Sequence, residues 1–60
     1  MDTIKQLREH VRESIKTHPE LKSEILDLYQ LCLDEVEEGA SESNEIYLCV
    51  SSIEQLIEEN

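Results

Sequence analysis

The stretch from Thr17 to Gly39 limits most severely what this chain can fold into. Its apolar residues are Leu21, Ile25, Leu26, Leu28, Tyr29, Leu31, Cys32, Leu33 and Val36. Set around a helix at about 100° per residue, they cover a little over half of the circumference, wider than the single stripe of an ordinary surface helix. A helix of this kind needs cover on two sides. The flanking residues mark its ends. Thr17-His18-Pro19-Glu20 has the spacing of a capping box, with proline in the first turn, where its missing N–H costs nothing. Gly39 is the residue type that most easily takes the left-handed conformation closing a helix. We therefore expect helix 2 over about residues 18–38.

The sequence supplies cover on both sides. Ile4, Leu7, Val11 and Ile15 recur three or four residues apart and predict helix 1 over about 3–16. Thr3 and Gln6 suit a capping box there, and Asp2 adds negative charge at the helix start. Arg8, Arg12 and Lys16 form a basic row beside the apolar line. Ile46, Cys49, Val50, Ile53, Leu56 and Ile57 predict helix 3 over about 42–58, with Ser41 or Ser43 as its N-cap. No strand-like alternation and no internal repeat occurs. The expected fold is all-α and fills a single small domain, 1–60. Helices 2 and 3 form an antiparallel hairpin, and helix 1 packs across it.

Size then bears on assembly. A 60-residue chain buries only roughly 60% of its unfolded surface, and at ordinary per-residue stabilities it holds by roughly 3–9 kcal/mol. With no Trp or Phe, large core anchors are missing. Homodimerisation is the expected remedy, through the leucines that one hairpin leaves uncovered: Leu26, Leu31, Leu33 and Leu48.

Charge narrows the partners. The net charge is −10. All five basic residues lie in the first 22 positions, where four acids leave a balance of +1; from Ser23 onward there are eleven acids and no Lys or Arg. Such a field repels nucleic acid and membrane surfaces and draws in basic proteins. The densest acids are Asp34, Glu35, Glu37, Glu38, Glu42 and Glu45. They are the candidate residues for docking a basic partner, as in inhibitors that imitate the phosphate backbone. An acidic surface serving solubility alone is the plainer reading. Met1 leads into a charged segment with no apolar core of a secretory signal, and no run approaches the ~20 apolar residues of a membrane span. A cytoplasmic location is the expectation.

Little here carries chemistry. A fold-back centred between Ala40 and Ser41 sets Cys32 opposite Cys49, Leu28 opposite Ile53 and Ile25 opposite Leu56. The two cysteines then read as small apolar fillers where helices approach closely, with a disulfide pinning the hairpin as the alternative. His10 and His18 read as surface residues, and no nucleophile, base and orienting group share a pattern. No catalytic residue and no cofactor is expected, so the chain is not read as an enzyme.

One motif stands apart. The twelve residues Asp34 to Glu45 have an acid at positions 1, 5, 9 and 12 (Asp34, Glu38, Glu42, Glu45) and Gly39 at position 6. The segment resembles an EF-hand calcium loop. It departs from that pattern at position 3, where Val36 has no ligating side chain, and at position 8, where Ser41 replaces an apolar residue. The general make-up also resembles small acidic helical proteins of bacterial and phage genomes, a likeness that covers the whole chain without a diagnostic motif. Two functional classes follow: an acidic regulatory protein that binds a basic partner, or a self-assembling helical dimer with a structural role.

Overall fold

The computed structural model describes residues 3–60. Met1 and Asp2 lie outside them, and with Asp2 the expected charge ahead of helix 1. Three α-helices follow one another: α1 (Ile4–Thr17), α2 (Lys22–Glu37) and α3 (Glu42–Glu59), with a short 3-10 turn, Pro19–Leu21, leading into α2. No strand occurs among the described residues. The radius of gyration is 10.8 Å, against about 10 Å for a compact chain of this length.

The start of the second helix differs from the expectation. Thr17 is the last residue of α1 and caps nothing downstream. The break falls at His18, whose backbone is neither helical nor fully extended (φ −129, ψ 68) and whose side chain makes no capping bond. Proline explains the shift. The residue before a proline is driven out of the helical region, so His18 must be the break and Thr17 stays inside α1. Pro19 opens the 3-10 turn, closed by a 3.0 Å bond from the Leu21 N–H to the His18 carbonyl. The α-helical part of helix 2 is 16 residues, about 24 Å long, and α3 at 18 residues is the longest element.

The other caps follow the residue types. The Thr3 hydroxyl accepts from the Gln6 N–H at 3.2 Å. Of the two serines ahead of α3, Ser41 is the cap, accepting from the Asn44 N–H at 3.5 Å. After α2, Gly39 takes φ +108, the one positive φ among the described residues. Its N–H donates to the Val36 carbonyl (3.1 Å) and the Ala40 N–H to the Glu35 carbonyl (3.0 Å). These two bonds are a Schellman motif, which satisfies carbonyls the helix end leaves open.

The core draws on all three helices: Leu7 and Val11 from α1, Leu21 just before α2, Ile25 and Cys32 from α2, and Ile46, Cys49 and Ile53 from α3. Leu7, Ile25, Ile46 and Ile53 are its fully buried large side chains. Around them pack Ile4, Ile15, Leu28, Tyr29, Val36, Val50, Leu56 and Ile57, all partly buried. The most extensive helix contact is between α2 and α3, and α1 touches both. Two α1 residues lie deeper than their types suggest. Ser14 is buried, its hydroxyl donating to the His10 carbonyl at 2.9 Å. His10, expected at the surface, is half-buried, and its Nε2 atom is enclosed without a hydrogen-bond partner. His18 is also half-buried, with Nδ1 3.5 Å from a Glu20 carboxylate oxygen.

Candidate partner-binding groove

The two cysteines mark where α2 and α3 meet. Both are buried and free. The Cys49 thiol donates to the Leu28 carbonyl at 3.6 Å. Burial, the neighbouring Cys32 and its hydrogen bonding together push the Cys49 thiol up to about 11. The Cys32 thiol is raised too, first by burial and then by the Glu45 carboxylate, with Glu42 adding to it against a lowering contribution from Cys49. Neither is therefore a ready thiolate at neutral pH, and both serve as compact apolar fill.

Above the thiols the helix pair leaves a shallow cleft of about 120 Å³, lined by Leu28, Leu31 and Cys32 from α2 and by Glu45, Leu48, Cys49 and Ser52 from α3. Ligand pockets run to about 300–1,000 Å³, whereas an apolar cavity of about 150 Å³ holds one benzene ring. This cleft has the size of a single side chain. Its walls, Leu31 and Leu48, are 56% and 48% exposed. Leu48 is expected among the leucines that the hairpin leaves uncovered; the structure brings it to the same cleft as Leu31. The two remaining leucines sit elsewhere. Leu26 is 40% exposed and Leu33 is half-buried. Seven residues apart, they share a face of α2 and do not line the cleft.

The six acids named from sequence cluster at the α2–α3 link. Asp34, Glu35 and Glu37 are in the last turn of α2, Glu38 is its C-cap, and Glu42 and Glu45 fall in the first turn of α3. At α3 the charges suit the positive end of the helix dipole. At α2 they oppose it, since four acids crowd the negative end and no base is present in the last turn. Asp34 is held by the Gln30 amide at 3.0 Å.

The calcium-loop likeness is not realised as a loop. Residues 34–37 complete α2 and 42–45 begin α3, so Val36 packs against the core instead of turning toward a ligand. Among the described residues no group of three or more His, Cys, Asp or Glu side chains is arranged to hold a metal ion. Two other depressions lie over the side chains of α1, one lined by Glu9, Arg12, Glu13 and Lys16, the other by Gln6, Glu9, His10 and Glu13. Among the described residues no helix is long and apolar enough to cross a membrane. Comparison with protein-family models, with curated proteins and with solved structures finds no match for this chain.

Proposed function

We propose that this is a small, non-catalytic regulatory protein that binds a basic protein partner in the cytoplasm, its acids standing in for a phosphate backbone. The reading takes α2 and α3 as an antiparallel hairpin with α1 strapped across it. The observation that carries it is the run of acids at the end of α2, set against the helix dipole and continued by Glu42 and Glu45 across the link. Eleven acids and no base from Ser23 onward provide a field that steers a basic partner to that end. The test is capture of proteins from the source cell at low salt. A basic protein should be retained and released as salt rises, and a variant with Asp34→Asn and Gln at positions 35, 37, 38, 42 and 45 should not retain it. Equal retention by that variant refutes the reading.

A second reading, a self-assembling homodimer with a structural role, is supported by the exposure of Leu26, Leu31 and Leu48, with the half-buried Leu33 beside Leu26. Sedimentation equilibrium decides it: a strict monomer at high concentration removes the dimer. Capture of nothing at low salt, together with a stable dimer, makes the structural role the better account.

A further inference from the structure

The groove between α2 and α3 combines an apolar floor with an acidic rim, and the combination selects an occupant. Leu28, Cys32 and Cys49 form the floor, with Leu31 and Leu48 standing up on either side. Along α2, Asp27 and Glu35 lie one turn before and one turn after Leu31 on the same face. They are eight residues apart, about 12 Å along the helix. Along α3, Glu45 lies one turn before Leu48 and lines the cleft itself. The field of Glu45 and Glu42 reaches the floor, where both carboxylates act on the Cys32 thiol. No Lys or Arg occurs after Lys22 to neutralise the rim.

We propose that this groove seats the apolar anchor of a basic amphipathic helix, one aliphatic or aromatic side chain between Leu31 and Leu48 with Lys or Arg about two turns apart flanking it. The proposal deepens the reading of the protein as a binder of basic partners and rests on it. Helix-in-groove recognition uses apolar anchors at helical spacing, and complementary charge sets partner choice and encounter rate. A second copy of the chain fits this groove poorly in two arrangements. Docked groove to groove, two copies bring Asp27, Glu35 and Glu45 against one another, and like charges so placed repel. Docked through α1, the copy offers the basic row but no anchor, because Leu7 and Val11 are already buried and Ile4 and Ile15 already pack on the core.

The experiment uses the full chain and three fluorescein-labelled synthetic 15-residue peptides (on the order of two spans of the rim), read by fluorescence anisotropy. The first is a Lys-rich helix with leucines on one face. The second has the same composition scrambled so that no face is apolar. The third is the first with Glu in place of Lys. The first should bind at least tenfold more tightly than the other two, and the double variant L31N/L48N should bring it down to the scrambled level. Both leucines are largely exposed, and circular dichroism checks that the variant stays folded. Equal binding of the first two peptides, unaffected by L31N/L48N, overturns the groove and leaves the basic-partner reading standing. Equal binding of the Glu peptide overturns the charge argument. No binding of either basic peptide at low salt overturns both readings. A wild-type dimer that L31N/L48N dissociates gives the groove to a second copy and overturns the proposal.

Discussion

Replacing Gly39 by alanine isolates one backbone angle. At φ +108 a side chain is strained whatever its surroundings, and a Cβ built there meets nothing within 4 Å. Contact with neighbours therefore contributes nothing, and the whole cost is local. Holding an L-residue in the left-handed region costs about 1–2 kcal/mol. Against this, alanine narrows the unfolded ensemble and returns about 0.4–1 kcal/mol. The net is a loss centred near about 0.8 kcal/mol, between limits of about 0 and about 1.6 kcal/mol, which lowers the melting temperature by about 4–8 °C per kcal/mol in a domain this small. If the chain instead relaxes to negative φ, the Schellman bonds to Val36 and Glu35 break, and because it relaxes only where that costs less than the strain, the loss is at most as large. Asparagine tolerates the left-handed region better than alanine, so the expected order of stability is wild type, then Gly39→Asn, then Gly39→Ala. Thermal and urea unfolding followed by far-UV circular dichroism measure it. A Gly39→Ala variant more stable than wild type, or more stable than Gly39→Asn, would refute the reasoning, because it would mean that the helix end does not depend on the left-handed conformation.

Ile53→Ala removes a fully buried side chain from the core cluster and should cost about 2–5 kcal/mol; set against a total of roughly 3–9 kcal/mol, the urea midpoint should fall by a large fraction or the cooperative transition vanish. Glu37→Gln with Glu38→Gln relieves charge at the negative end of the α2 dipole and should stabilise the fold by about 0.3–1 kcal/mol per site at low salt while weakening capture of basic proteins; a loss of stability at low salt contradicts the dipole argument. For the thiols, the folded pKa of Cys49 is raised from 9.0 to about 11. The folded state holds that proton more tightly, so the contribution is fully present below pH 9 and is lost as pH rises through about 11. Unfolding midpoints should therefore fall between those pH values in wild type and fall less in Cys49→Ala. Alkylation of both thiols should be slow in the native protein and fast in denaturant.

How much was legible in the sequence depends on the range of the forces involved. Apolar spacing alone identified three helices and their core faces, because Leu7, Val11, Ile25, Ile46 and Ile53 repeat at the period that puts them on one side. The Gly39 closure and the Thr3 cap were legible for the same reason: both are settled within a few residues of backbone. The meeting of Cys32 and Cys49 in the core was also reachable, since a short link folds their two helices back on each other. The Thr17 cap failed through a competing local rule, proline acting on His18. Ser14 lies three residues after Val11 and seven after Leu7, so its spacing puts it on the core face although its residue type carries no burial signal; the half-burial of His10 has no such signal.

The acids were equally plain as residue types, and the sequence by itself determined their number, their sign and their crowding near Gly39. Which leucines belong together was decided only by the tertiary structure. On its own helix Leu31 is one edge of a wide apolar arc, and Leu48 is a single leucine off the core stripe. They become the two walls of one groove because α2 and α3 pack against each other at the level of their buried cysteines. Leu26 and Leu33 share a helix face by spacing alone, yet they stay outside that groove. Periodicity determines the face of each helix, whereas a surface made by two helices depends on how they are rotated and staggered against each other. That is fixed by long-range packing, which no local pattern records.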